Sequence, residues 1–184
     1  MSPDAPAQRD DEVFDVVDGD NRVIGRERRS VIHARGLFHR AAHLLWLRDD
    51  GMLCLQRRSY RKDTCPGLIS TSCAGHLDAG EGYLAAMARE LREENGVEAA
   101  PAELVRVDAP PAHSDLGMEF VEVFLLRGDR PYRIHAPEVD ALLWRTPAEA
   151  AAWARSRPEL FSTSFLHLFR RPAVRAAVGL PPRA

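Results

Sequence analysis

The chain has little of several features that define whole classes of protein. It has only three cysteines, Cys54, Cys65 and Cys73, too few and too irregularly spaced for a disulfide framework or a four-cysteine zinc site. No stretch approaches the roughly 18 consecutive apolar residues of a membrane-spanning helix. The formal net charge is only −2, which gives no overall attraction to nucleic acid or an acidic membrane. We therefore expect a cytoplasmic protein that binds neither a nucleic-acid polymer nor a membrane.

The remaining composition is that of a folded domain. Apolar residues make up 45% and charged residues 28% of the 184 positions, which is ordinary for a globular protein of one domain. The first twelve residues, MSPDAPAQRDDE, are polar and contain no apolar stretch typical of a signal peptide. We expect residues 1–11 to form a flexible tail and residues 12–184 a single domain. Lys62 is the only lysine.

Short apolar stretches bounded by turn formers predict a largely antiparallel sheet. Strands are predicted at 13–17, 22–25, 41–48, 52–57, 68–73, 104–107, 118–126 and 141–145. A brief helix is expected from a Ser30 cap to Gly36, and a final helix over 165–171. Thr146-Pro147-Ala148-Glu149 combines a capping box with proline at the first helical position and predicts another helix. The predicted class is α+β, with helices packed on a mixed sheet.

Residues 82–95 predict a helix with two different faces. Leu84, Met87, Ala88 and Leu91 gather on one side at 100° per residue, and Gly96 is placed to end the helix. Glu90, Glu93 and Glu94 gather on another side, where they repel one another by roughly a few tenths of a kcal/mol per pair. Such a face is commonly just solvated. A bound Mg²⁺ or Mn²⁺ ion would offset the repulsion, since hard cations prefer oxygen ligands.

The spacing around this helix carries a family resemblance. Gly75 is followed after five residues by Glu81, and after seven more by Arg89-Glu90-Leu91-Arg92-Glu93-Glu94-Asn95-Gly96-Val97. This segment resembles the Nudix box at every specified position. The resemblance implies an α/β/α Nudix fold and an Mg²⁺-dependent hydrolase that cleaves a diphosphate linkage, with Mn²⁺ as an alternative ion.

The resemblance also implies roles for single residues. Glu93 and Glu94 would be the principal metal ligands, Glu90 a further ligand, and the Gly75 carbonyl would contribute an oxygen. Arg89 would pair with Glu81 and hold the loop against the helix. Glu81 could instead orient the attacking water as a base, so the identity of the general base stays open between these carboxylates.

The segment before the box adds a basic cluster and a second resemblance. Arg57 and Lys62 are candidate phosphate contacts, because they lie in the densest basic stretch of the chain. The layout from LCLQRRSYRKDTCPGL to STSCAGH resembles the Nudix branch that includes isopentenyl diphosphate isomerase. That enzyme uses a cysteine immediately before the Gly-His dipeptide, where this chain has Ala74. Cys73 is one position early, so it should face the other side of the strand.

The same branch implies a histidine metal site, which His33, His39 and His76 could partly retain. Its pair of glutamates appears here as Gly117 and Glu119, so one is missing. Glu119 is the candidate for the site, while Glu122, three positions on in a strand, should face the opposite way.

The loss of the thiol favours hydrolysis over isomerisation. We expect a substrate of the nucleoside diphosphate type, or another diphosphate joined to an apolar or sugar group. No NADH-type or coenzyme A-type motif narrows the choice. The alternatives are an isomerase-like enzyme and a binding module that retains the box without turnover. A homodimer is compatible with the sequence.

Overall fold

The computed structural model describes residues 11–182, so residues 1–10 of the expected tail lie outside the described part. The strands are β1 (Val13–Val17), β2 (Val23–Arg28), β3 (His39–Leu47), β4 (Leu53–Arg58), β5 (Ile69–Ser70), β6 (Cys73–His76), β7 (Val105–Asp108), β8 (Glu119–Arg127) and β9 (Val139–Arg145). The helices are α1 (Arg29–Arg35), α2 (Tyr83–Asn95), α3 (Pro147–Ser156), α4 (Thr163–Leu168) and α5 (Pro172–Ala177), with short 3₁₀ turns at Pro101–Glu103, Ser114–Leu116 and Pro158–Leu160.

Strand β3 lies at the centre of a seven-stranded mixed sheet. It pairs in parallel with β8 over its whole length, with His39 opposite Glu119. On its other edge it pairs antiparallel with β6, with Ala41 opposite His76, and then with the start of β4. Strands β1 and β2 form a separate antiparallel hairpin. The register of β3 therefore brings His39, His76 and Glu119 to one end of the sheet.

Two apolar clusters cover the two faces of this sheet. One packs β3, β4 and β8 against α3, α4 and α5, with Phe165 and Leu168 fully buried. The other packs β3 and β6 against α2 through Met87 and Leu91. Helices thus lie on both faces, and the predicted α/β/α sandwich of the α+β class is confirmed.

Helix α2 follows the two-faced pattern of its sequence. Ala86, Met87 and Leu91 are buried against the sheet. Gly96 ends the helix in the left-handed conformation with φ 63°, which glycine adopts at little cost. A side chain there would also collide with the backbone of Arg133, whose carbonyl oxygen would lie 2.8 Å from an added Cβ.

Some predicted elements differ from the structure. The single strand expected over 68–73 is divided between β5 and β6, because β5 pairs with β4 whereas β6 pairs with β3. The expected helix at 165–171 is also wrong in extent, since α4 ends at Leu168 and Pro172 begins α5. Ser30 lies inside α1 and does not cap it.

The capping box at Thr146 is confirmed, with Thr146 Oγ1 accepting a hydrogen bond from the Glu149 amide. Within residues 11–182, none of the helices has the length and apolar character needed to cross a membrane.

Candidate active site

A cavity of about 610 Å³ opens between helix α2 and the end of the sheet where β3, β6 and β8 meet. Its walls include the glutamates of α2, the loop before β5, the 3₁₀ turn Ser114–Leu116 and the start of α4. Two groups of ionisable side chains lie at this cavity. We call Glu90, Glu93, Glu94, Arg89 and Lys62 the glutamate end. We call His33, His76 and Glu119, which line the cavity, together with the buried His39 that contacts them, the histidine end.

Glu94 is fully buried at the glutamate end and has three hydrogen-bond donors. Lys62 Nζ donates to its Oε1 at 3.0 Å, and Gln56 Nε2 and the Cys73 thiol donate to its Oε2 at 2.8 and 3.3 Å. Although burial opposes ionisation, the Lys62 ammonium and these hydrogen bonds hold the pKa of Glu94 below its ordinary value. Removing one partner of a buried ion pair costs about 3–5 kcal/mol.

Glu90 lies against the backbone of β6. A Cβ added at Gly75 would come within 2.0 Å of Glu90 Cδ, so only glycine leaves room for this carboxylate. Burial, together with the negative charge of Glu94, raises the pKa of Glu90 to about 8, despite the opposing effect of Arg89. The carboxylate repulsion expected from the sequence is therefore present and is only partly offset by the protein's own cations.

Arg89 holds the loop before α2 against the helix. Its guanidinium donates to both carboxylate oxygens of Glu81, at 3.0 and 2.8 Å, and to the carbonyl of His76 at 3.0 Å. It also donates to Glu90 at 2.8 Å and to Glu93 at 3.3 Å. The Arg89–Glu81 pair expected from the sequence is present. Because both Glu81 oxygens are bound and Glu81 does not line the cavity, its geometry is that of a clamp.

Glu93 differs from the other two helix glutamates in exposure. Its side chain is 48% exposed and lines the cavity. Apart from Arg89, its nearest charged neighbour is Arg92, 3.8 Å away. Glu93 is therefore the helix carboxylate most accessible to an entering ligand.

The histidine end gathers three imidazoles from α1, β3 and β6. Their ring centroids lie 5.1 to 5.2 Å apart. His76 Nε2 lies 3.0 Å from Glu119 Oε1 and His39 Nε2 lies 3.5 Å from it. Although burial opposes ionisation, these contacts hold the pKa of Glu119 well below its ordinary value. Burial and the neighbouring imidazoles lower the pKa of His33 to about 4.

The histidine end also contains unsatisfied nitrogens. His39 contacts the Leu37 carbonyl through Nδ1 at 2.9 Å, so Nε2 is the ring nitrogen that faces Glu119 and the other imidazoles. The Nε2 atoms of His39 and His33 are buried without a hydrogen-bond partner. Ligand atoms of His33, His39 and His76 all lie within 4.8 Å of one another, so the three rings form a donor set suited to a transition-metal ion.

Adjacent residues of β6 face opposite ways, as the strand parity predicts. Ala74 lines the cavity, whereas Cys73 is fully buried and does not. Burial and the nearby Glu94 carboxylate raise the pKa of the Cys73 thiol well above its ordinary value. Cys73 thus faces away from the cavity as expected, and the cavity wall carries a methyl group where the isomerase would carry a thiol.

The two residues predicted to contact phosphate, Arg57 and Lys62, lie in different surroundings. Arg57 pairs with Asp140 at 2.5 Å and does not line the cavity, so its role as a phosphate contact gains no support from this geometry. Its neighbour Arg58 does line the cavity. Lys62 also lines it, but its ammonium is engaged by Glu94 and Glu138.

Glu119 and Glu122 separate as strand parity predicts. Glu119 lines the cavity, and Glu122 pairs with the exposed Arg106 at 2.9 Å.

Three cavity residues were not singled out from the sequence. Glu138 precedes β9 and accepts a hydrogen bond from Lys62 at 2.8 Å. Arg29 begins α1, is almost fully buried and pairs with Asp63 at 2.6 Å. His43 is buried in β3 and hydrogen-bonds with Thr71 Oγ1 at 2.9 Å. No motif marks these residues, although the unbroken apolar pattern of β3 around His43 could have indicated a buried histidine.

Comparison with known proteins places this site in a family. The model of the NUDIX domain matches residues 37–165. An isopentenyl-diphosphate Delta-isomerase of Streptomyces avermitilis is 34% identical over 174 residues, which cover 91% of this chain and 87% of that protein. An uncharacterized Nudix hydrolase of Clostridium acetobutylicum is 36% identical over 101 residues, 53% of this chain and about half (48%) of that relative's length.

Solved structures agree with the sequence relatives. The crystal structure of a Deinococcus radiodurans protein has a TM-score of 0.69 and 26% sequence identity, and the match covers 79% of this chain and 90% of that one. The family model, the fold and the complete box on α2 agree, and the chain therefore belongs to the NUDIX domain family.

Proposed function

We propose that this protein is a divalent-metal-dependent hydrolase that cleaves a diphosphate linkage. The observation that carries the proposal is the glutamate end, where three carboxylates of one helix converge on a cavity and an arginine clamp fixes the loop before them. Such oxygen donors on a rigid helix suit Mg²⁺ or Mn²⁺.

The residues present fit such an ion. The raised pKa of Glu90, about 8, reflects a buried carboxylate whose charge the protein does not fully neutralise. Glu90, Glu93 and Glu94, with the Gly75 carbonyl, would hold the ion. When bound, a divalent ion would neutralise phosphate charge and favour ionisation of the attacking water.

Residues of the chain itself would position the loop before α2 and accept a proton from the attacking water. We assign Arg89 and Glu81 a positioning role, since their paired hydrogen bonds fix the loop that approaches α2. Glu93, exposed and facing the cavity, is the helix carboxylate best placed to accept a proton from water. Arg58 lines the same cavity and offers a guanidinium to phosphate oxygens.

The lining of the cavity favours a polar group attached to the diphosphate. Ser114, Asp115, Ser162, Thr163 and Ser164 line the cavity, whereas Phe14 and Leu116 are the only large apolar side chains among the described lining residues. Hydroxyl and carboxylate groups can hydrogen-bond to a sugar, whereas an isoprenoid chain prefers apolar and aromatic surface. We therefore propose a sugar-bearing or nucleoside diphosphate as the substrate class.

A substrate panel with Mg²⁺ or Mn²⁺ tests this proposal. Nucleoside di- and triphosphates, dinucleotides, sugar diphosphates and isoprenoid diphosphates are incubated with the protein, and released phosphate and cleaved products are measured. We expect metal-dependent cleavage with a preference for sugar-bearing substrates. Failure to cleave any member would favour a binding module that retains the box without turnover.

Isomerisation of an isoprenoid diphosphate is the second candidate function. The retained cluster of His33, His39, His76 and Glu119 favours it, as does the likeness to an isomerase over most of both chains. Ala74 opposes it, because a methyl group stands where the isomerase carries its thiol, and the cysteine that lines the cavity, Cys65, lies instead in the loop before β5. We expect the unaltered chain to lack isomerase activity by proton exchange into isopentenyl diphosphate in D₂O. Activity gained in Ala74→Cys would show a shared scaffold, and activity without the substitution would replace hydrolysis as the leading function.

A further inference from the structure

Lys62 is an unusual cation for a cavity that is expected to bind phosphates. Its side chain is only 3% exposed, and its ammonium donates to Glu94 Oε1 at 3.0 Å and to Glu138 Oε2 at 2.8 Å. A lysine held by two carboxylates has little capacity left for a ligand. Lys62 nevertheless lines the same cavity as the glutamates of α2.

The charges around Lys62 explain why it is drawn inward. Glu90, Glu93, Glu94 and Glu138 all line the cavity on this side. Arg89 donates hydrogen bonds to Glu90 and Glu93, and Lys62 donates to Glu94 and Glu138. Buried charges need such partners because their solvation by water has been lost. A divalent ion among the glutamates would supply two positive charges and reduce the need for Lys62.

Glu94 can bind a metal ion only through its Oε1 atom, which already accepts from Lys62. Its Oε2 already accepts from Gln56 and Cys73, and its Oε1 accepts from Lys62. Each carboxylate oxygen has two lone pairs. A metal ion at Oε1 would therefore lie beside the lysine ammonium, where two cations repel. The competition is between Lys62 and the metal for one oxygen.

We infer that Lys62 is an exchangeable internal counter-ion, which neutralises Glu94 before a divalent cation binds and then turns to the diphosphate of the substrate. This inference rests on the proposed function and assigns Lys62 two successive partners. Lys62 would thus make both the ion pair present in the structure and the phosphate contact expected from the sequence. The loop that carries Lys62, between β4 and β5, would be the element that moves.

The chain offers a direct probe because Lys62 is its only lysine. Acylation with a water-soluble N-hydroxysuccinimide ester is measured by mass spectrometry, and the α-amino group of the same chain serves as the internal reference. Without divalent ions we expect Lys62 to react slowly relative to that amine. Saturating Mg²⁺ should raise the relative rate by about tenfold or more, since reactivity follows the released fraction. Adding methylenediphosphonate with Mg²⁺ should protect Lys62 again.

Mn²⁺ titration followed by electron paramagnetic resonance shows independently whether the ion binds. If Mn²⁺ binds, and Glu93→Gln weakens that binding, while Lys62 stays protected with Mg²⁺, then the exchange is wrong and the metal site stands. If no ion binds, both the exchange and the proposed metal dependence are overturned. Glu138→Gln serves as a comparison variant, because losing one of the two anchors should increase labelling even without Mg²⁺.

Thermal unfolding of Lys62→Met provides a second measurement. Removing the lysine leaves Glu94 buried without its cation, so the metal-free variant should have a lower Tm than the unaltered protein. Mg²⁺ should then raise the Tm of the variant by more than it raises that of the unaltered protein. An equal rise in both proteins would indicate a purely structural lysine and would contradict the exchange.

Discussion

The glutamate and histidine ends of the cavity hold their charge in opposite ways. At the glutamate end, several carboxylates are crowded together and are only partly neutralised by Arg89 and Lys62. At the histidine end, a single carboxylate, Glu119, contacts imidazoles, and burial lowers the pKa of His33 and of His76. The first end balances opposite charges, while the second keeps two of its basic groups neutral.

This difference separates what each end can do without a bound ion. The Nε2 atoms of His33 and His39 are buried without a hydrogen-bond partner, so a metal ion that binds them does not have to displace one. The carboxylates of the glutamate end are already engaged by the protein, so a ligand there must exchange partners. We expect the hydrolytic chemistry to depend on the glutamate end and only weakly on the histidine end.

The largest expected effect tests the glutamate end directly. Glu93→Gln keeps the shape of the side chain and removes its charge, so kcat/KM with Mg²⁺ should fall by about 10²–10⁴, or roughly 3–5 kcal/mol. The Tm should change little, since Glu93 is half-exposed. Steady-state kinetics measure kcat/KM, and thermal unfolding measures the Tm. Glu98→Gln makes the same change at an exposed position beyond α2 and is the matched control. A fully active Glu93→Gln would refute the role of the helix in catalysis.

The arginine clamp should have the next largest effect. Arg89→Lys keeps the charge but cannot donate to both oxygens of Glu81 and to the His76 carbonyl at once. We expect activity to fall by about 10- to 100-fold. Arg92→Lys is the control, because Arg92 is exposed on the same helix. Equal losses in both variants would mean that the loss is not specific to Arg89, and that the clamp has no special role.

His43 lines the cavity, and the negative charges of both Glu119 and Glu94 act to raise its pKa. Burial lowers its pKa from 6.5 to about 4, so the unfolded chain binds the proton more strongly. The resulting stabilisation is complete above pH 6.5 and is lost as the pH falls toward 4. It amounts to about 1–3 kcal/mol.

Denaturant unfolding between pH 4 and 7.5 measures this contribution. The free energy of unfolding of His43→Gln should decline less steeply with acid than that of the unaltered protein. Parallel declines would show that other groups account for the pH dependence.

The smallest expected effect on hydrolysis is at the histidine end. Co²⁺ bound by the three imidazoles should give a visible absorption band, and His33→Asn, which removes one of these ligands, should abolish it. The same variant should lower the rate of hydrolysis by less than about tenfold, or 1.4 kcal/mol. His135→Asn, outside the cluster, is the control for both measurements. A loss of hydrolysis as large as that of Glu93→Gln would show that the two ends act as one site.

Local sequence was enough for the features whose causes are local. Gly96, the spacing of the helix glutamates and the Thr146 capping box each predicted their structure, because helix periodicity and backbone conformation depend on neighbouring residues. The same local reasoning failed for the strand over 68–73. Its residues Thr71 and Ser72 bond to distant backbone and side-chain groups that periodicity does not reveal.

The family, the α+β class and the carboxylate face of α2 could all be predicted from the order of residues, because a helix fixes the relative directions of residues three and four apart. The groups that meet this face could not be predicted, because they come from distant parts of the chain. Lys62 reaches Glu94 across 32 positions, and His76 meets Glu119 across 43. Such contacts depend on strand register and loop path, which set distances between residues far apart in the chain.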